Sequence, residues 1–256
     1  MPERPHRAAL VTGGARRIGR AIALDLVADG WSVVVHYNTS ERAAREMVAD
    51  ITAGGGRAAA VGADLASEED AGGLVGRAAE GVGPLTCLVN NASVFEIDTP
   101  ETATRDSWNA NLQVNLRAPF VLTQAFAAQV PAGSEGNVIN IIDQRVWNLT
   151  PYYTSYTVSK AALWTLTRTL AQALAPRIRV NAVGPGPTLP HARQTDEAFA
   201  RQWAALPLER RTLSEDIAGA VRFILDAPAM TGQMIALDGG QHLGWAQRRR
   251  TQTPEE

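Results

Sequence analysis

The chain has 256 residues, of which 45% are hydrophobic, enough for a large core. Its 24 basic and 26 acidic side chains leave a net charge of −2, which gives no electrostatic case for nucleic acid or a membrane surface as partner. A single cysteine, Cys87, excludes an internal disulfide. No signal-peptide apolar region follows Met1–Arg7, and no stretch approaches the roughly 20 apolar residues of a membrane span, so a soluble, cytoplasmic protein is expected.

Short β-branched runs alternate with longer helical patterns. Ala8–Thr12 reads as a strand, and the helical spacing of Arg16–Asp29 stops at Gly30. Trp31–Tyr37, with three consecutive valines, reads as a buried strand. Ser40 is placed to cap a helix over Glu41–Thr52, ended by Gly54–Gly56. Arg57–Gly62 is the third strand. Ser67 caps Glu68–Glu80, weakened by Gly72, Gly73 and Gly76. Pro84–Asn90 is a strand, followed by one long helix over Arg105–Val130. Then come a strand at Asn137–Ile142, a helix at Tyr152–Leu174 and a strand at Ile178–Val183. A mobile lid with short helices is expected over Leu189–Arg211. Ser214 caps Glu215–Leu225, and Gln233–Leu237 closes the series. This alternation predicts one α/β domain over residues 1–256, a parallel sheet covered on both faces. The core is expected at about 7–244, with 246–256, including the Arg248–Arg250 run, as a tail.

Thr12-Gly13-Gly14-Ala15-Arg16-Arg17-Ile18-Gly19 joins the first strand to the first helix. Glycines there let backbone approach a pyrophosphate, and the helix N-terminus offers free N–H groups to it. Arg16 and Arg17 face either phosphate, a neighbouring substrate, or solvent. Dinucleotide enzymes that use NAD usually carry a carboxylate at the end of the second strand. Here that end reads His36-Tyr37-Asn38-Thr39-Ser40, with no acid before Glu41. His, Asn and Ser donate hydrogen bonds to a 2′-phosphate, which favours NADP(H); the alternative for His36 is a strand residue satisfied by backbone. Tyr156 and Lys160 lie four apart, on one helix face. An ammonium beside a phenol stabilises phenolate and lowers its pKa. No metal site is assigned.

Several motifs together resemble the short-chain dehydrogenase/reductase family over residues 7–244. They are the glycine turn, Asn90-Asn91-Ala92, Asn115, Tyr156 with Lys160, Pro185-Gly186, and Leu237-Asp238-Gly239-Gly240. The resemblance implies a seven-stranded parallel sheet and usually a homotetramer. It also implies Asp64 (with Leu65), Asn91 and Thr188 near the cofactor, and a water held by Asn115 that links Lys160 to solvent. Two positions depart from the common pattern: Arg17 replaces a glycine, and Asp143 stands where a catalytic serine is usual. These departures mean either lost activity or a subgroup. Both together are similar to the pteridine and dihydromonapterin reductases. That likeness extends to His36-Tyr37, Asn91-Ala92-Ser93-Val94-Phe95 and Val183-Gly184-Pro185-Gly186, while Thr39 departs from a basic residue found in some members. It implies that Phe95 stacks on a pterin ring, that Ser93 and Arg17 contact substrate, and that Asp143 relays a proton to Tyr156, with an acidic optimum. Taken alone, Phe95 is a loop or core aromatic, and Asp143 a strand-end cap. The expected activity is NADPH-dependent reduction of a dihydropterin or dihydrofolate. Alternatives are a carbonyl or 3-oxoacyl reductase of the same fold and a non-catalytic NADPH-binding protein.

Overall fold

The computed structural model describes residues 6–150, 152–191 and 194–244; the expected tail and the Arg248–Arg250 run lie outside the described residues. Seven strands, β1 (Ala8–Val11), β2 (Ser32–Tyr37), β3 (Ala58–Gly62), β4 (Cys87–Asn90), β5 (Gly136–Ile141), β6 (Ile178–Pro185) and β7 (Met234–Leu237), form one sheet. Its order is β3-β2-β1-β4-β5-β6-β7 with every pairing parallel, the seven-stranded sheet expected. Side chains alternate across each strand, and both faces are dry. Ala8, Leu10, Val34, Leu88 and Val138 enter one core; Ala9, Val11, Val33, Val35, Cys87, Val89 and Ile139 enter the other. This explains why the strands read as continuous apolar runs rather than alternating ones.

Helices α1 (Arg17–Ala28), α2 (Glu41–Ala53) and α8 (Ser214–Leu225) cover one face, through Ile22, Leu26, Met47, Ile217 and Ile224. Helices α3 (Glu68–Val82), α5 (Ala118–Gln129) and α6 (Thr154–Leu174) cover the other, through Leu74, Val75, Phe126 and Leu170. Burying each such side chain contributes about 1.5–3 kcal/mol, which outweighs the glycines inside α3. Ser67 does cap α3, accepting from the Asp70 N–H. Ser40 makes no cap hydrogen bond. Ser214 is already inside α8: the turn is closed by Asp216, whose carboxylate accepts the Leu213 N–H at 2.8 Å.

The long helix expected over 105–130 is interrupted. Helix α4 (Arg105–Leu112) and α5 are joined by a π-helical turn at Gln113–Arg117, centred on Asn115. In the lid region, α7 (Asp196–Ala204) is capped by Thr195, which accepts the Ala198 N–H. No helix of the described residues is long and apolar enough to cross a membrane.

The chain leaves β1 toward β3, then returns to lay β4 on β1's other side. Loops after β1 and β4 therefore diverge, opening a crevice at the carboxyl ends of the strands, where open α/β sheets bind ligands.

Candidate active site

The crevice floor is backbone held by side chains. The Thr12 hydroxyl accepts the N–H groups of Asn91 and Ala92, each at 2.9 Å. The Asn91 amide donates back to the carbonyls of Thr12 (2.8 Å) and Gly13 (3.3 Å). Gly13 sits at φ +63°, open to glycine at little cost. A Cβ on Gly19 would strike the Gly13 carbonyl and the Asn91 amide, and one on Gly186 would lie 2.6 Å from the Asp238 Cα. These are cradles where backbone must pass close to backbone or ligand, and they fit a dinucleotide at the α1 N-terminus. Pro185 and Thr188 flank Gly186; both are buried, and the Thr188 hydroxyl donates to the Gly186 carbonyl at 3.0 Å.

His36 differs from the expectation of a phosphate donor. Its ring is buried, accepting the Gly13 N–H at Nδ1 (3.0 Å) and facing the Ala63 carbonyl with Nε2 (3.1 Å). That pattern requires the neutral Nε2–H tautomer, and burial holds its pKa below the usual imidazole value. The side chain thus braces the glycine turn. Beside it, the Tyr37 ring packs on Gly62, and the exposed Asn38 amide donates to Asp64 at 3.4 Å. Asp64 also accepts the Ala66 N–H, with Leu65 buried between. Arg16 is exposed at the mouth of the turn and Ser40 is half-buried.

Tyr156 and Lys160 project from one face of α6 into the crevice, both buried. Asp143 accepts two hydrogen bonds. One carboxylate oxygen caps the 3-10 turn Gln144–Val146 by accepting the Arg145 N–H at 2.7 Å; the other accepts the Tyr156 hydroxyl at 3.1 Å. Lys160 donates to the Ile141 carbonyl at 2.9 Å. Burial, then the nearby Asp143 charge, push the Tyr156 pKa well above the usual phenol value. Burial pulls Lys160 down to about 8. Arg145 acts against the rise at Tyr156, and Lys160 Nζ lies 5.7 Å from the Tyr156 ring centroid, where an ammonium favours phenolate.

The Asn115 side chain is held by protein groups on every polar atom. Its side-chain oxygen accepts from Ser93 Oγ (3.0 Å) and the Val94 N–H (2.9 Å), and its amide donates to Val94 O and Ser159 Oγ. With these protein partners the side chain ties the loop after β4 to α6. Asn111 repeats the tie to Ser155 at 2.7 Å. Asp98, buried at the N-terminus of α6, accepts from Ser155 and Ser107. These hydrogen bonds outweigh its burial and hold its pKa low. Sequence reasoning missed Asp98, since nothing in its local pattern indicates a partner 57 residues away.

Above Tyr156 lies a cavity of about 780 Å³, lined among others by Ile18, Phe95, Asp143, Arg145 and Leu189. Phe95 stacks on Tyr153 with ring centroids 4.8 Å apart and meets Tyr156 edge-on at 4.6 Å. Tyr153 holds φ +63°, a strained position for a non-glycine residue. Arg17, at φ +53°, donates to the carbonyls of Pro190 (3.2 Å) and Leu189 (3.4 Å), latching the lid to the glycine turn. Ser93 is exposed at the rim. Arg145 and Tyr153 were not expected from the sequence.

The family model for enoyl-(acyl carrier protein) reductase, a short-chain dehydrogenase/reductase model, matches residues 13–242. An oxidoreductase of Methylorubrum extorquens is 38% identical, over 91% of this chain and 97% of its own. A 3-oxoacyl-[acyl-carrier-protein] reductase of Synechocystis is 35% identical, over 91% and 95%. Among solved structures, FolM alternative dihydrofolate reductase 1 of Brucella canis, complexed with NADP, is 48% identical, with a TM-score of 0.92 over 97% of this chain and 96% of that one. The fold agrees with these matches, and the chain belongs to the short-chain dehydrogenase/reductase family.

Proposed function

We propose that the protein is an NADPH-dependent reductase of a pterin, converting a dihydropterin or dihydrofolate to its tetrahydro form. The observation that carries this reading is the 3.1 Å hydrogen bond from Tyr156 to the Asp143 carboxylate, beneath the Phe95 ring. Support comes also from the 48% identity to a dihydrofolate reductase of the same fold. The cradle of Gly13, Gly19, Asn91 and Gly186 would hold the dinucleotide, with Lys160 toward its nicotinamide ribose. Bound there, a reduced nicotinamide supplies hydride.

Reduction of a ring C=N needs a proton at nitrogen. Tyr156 is kept as a neutral phenol by burial and by Asp143, so it is an acid rather than a base in the resting site. Asp143 accepts the phenol O–H and relays a replacement proton to it. A serine in that position mainly orients a carbonyl; a carboxyl group carries a proton. Phe95 offers an aromatic face to a flat heterocycle, and Arg17 and Ser93 offer polar groups at its rim.

NADPH oxidation measured against a panel of pterins, folates and β-keto substrates tests the reading. Turnover is expected with dihydropterins, and Asp143→Ser is expected to lose about tenfold to a hundredfold of it. The 35% identical 3-oxoacyl reductase favours a second reading, a carbonyl reductase. Under that reading Asp143→Ser keeps or improves ketone reduction.

A further inference from the structure

Tyr156 has two cations at equal distance. Lys160 Nζ and the Arg145 guanidinium carbon each lie 5.7 Å from its ring centroid. Lys160 is engaged with the Ile141 carbonyl. Arg145 is packed among rings, 4.7 Å from the Tyr153 centroid and 5.8 Å from that of Phe95, and its Nε and Nη1 are buried with no hydrogen-bond partner. With those two nitrogens buried and no protein acceptor on them, the guanidinium charge acts on the neighbouring phenol through little solvent. Its own N–H is bonded to the Asp143 carboxylate, so the cation is fixed to the acid pair by two residues of backbone.

We propose that Arg145 is a positioning residue for proton delivery: its guanidinium, with Nε and Nη1 buried and without a hydrogen-bond partner, stabilises the negative charge that the Tyr156–Asp143 pair carries once its proton has gone to substrate. In the step, hydride from NADPH forms a C–H bond at the electrophilic carbon. The π pair of the reduced double bond takes the Tyr156 proton, giving NADP and a reduced substrate. The pair then holds one more negative charge until solvent returns a proton. An interaction that is stronger after proton loss than before it lowers the barrier.

The groups around the phenol are Asp143 and Arg145 from the turn after β5, Lys160 from α6 and Tyr153 just before it, with Arg17 at the start of α1 and His191 of the lid lining the same cavity. Of the two cations beside the ring, Lys160 is tied to the Ile141 carbonyl, and Arg145 acts against the upward push on Tyr156. The proposal rests on Tyr156 as proton donor in the reading above, and not on the substrate being a pterin.

The test introduces trifluorotyrosine at position 156, which titrates within the stable pH range and is followed by absorbance without any substrate. Arg145→Gln and Arg145→Met are expected to raise that titration by about one pH unit, with Arg145→Lys restoring it. In the parent enzyme the same neutral variants lower kcat about tenfold with NADPH affinity unchanged. Met fills the aromatic slot should the Gln amide fail to fold there. A titration unmoved in the neutral variants overturns the proposal, as does a rise in KM with kcat unchanged. Absence of pterin turnover leaves the titration result intact, so the two readings fail separately.

Discussion

The two sides of the crevice are built on opposite principles. On the nucleotide side, polar groups of the turn are paired: Thr12 with Asn91 and Ala92, Gly13 with His36, His36 with Ala63. On the substrate side, Arg17 and Tyr153 hold positive φ, and Arg145 keeps nitrogens without partners. Strain of this kind costs about 1–3 kcal/mol per residue and persists only where surrounding structure enforces it. The difference teaches that the cofactor side is preorganised by satisfied hydrogen bonds. The substrate side stores unfavourable contacts that a ligand can relieve.

That contrast breaks most sharply at Gly19. Gly19→Ala puts a methyl group against the Gly13 carbonyl and the Asn91 amide. Cofactor affinity is expected to fall by about a hundredfold and the melting temperature to drop with it, checked by NADPH titration calorimetry and a thermal melt. A smaller loss is expected at His36. Removing its ring in His36→Ala orphans the Gly13 N–H, at about 1–3 kcal/mol. Its folded pKa lies below the ordinary 6.5, so the stability it contributes is present above pH 6.5 and is lost as pH falls through the folded value. Wild-type protein should therefore lose stability on acidification more steeply than His36→Ala.

The smallest effect has the opposite sign. Lys160 is pulled from 10.5 to about 8, so at pH 7 it is protonated in both folded and unfolded chains and the fold bears the full penalty of its burial. That penalty is relieved as pH rises from about 8 to 10.5. Lys160→Met should abolish turnover yet raise the melting temperature at pH 7 by about 2–5 °C, with the gain vanishing at alkaline pH.

The sequence disclosed the nucleotide side better than the substrate side for a physical reason. Strands such as Ala8–Val11 and the glycine turn are local features, written in consecutive residues. Tyr156 and Lys160 are one helical turn apart and so also local. Asn115 lies in a π turn because its side chain is drawn to Val94 and Ser159, and a single wider turn hardly alters helical periodicity. His36 could point to either face, since both faces of β2 are buried and alternation does not choose between them. Arg145 has no motif at all: only the fold brings it among Phe95, Tyr153 and Tyr156. Residues that distinguish one substrate from another are held by long-range packing, so they are the last to be read from the chain.

Transfer of label from NADPH deuterated at nicotinamide C4 bears most directly on the reductase reading. Mass spectrometry of a dihydropterin incubated with enzyme should find the deuteron on a ring carbon of the tetrahydro product, and Tyr156→Phe should prevent its transfer. Label appearing only on the carbinol carbon of a reduced ketone, with the pterin recovered unlabelled, would contradict it.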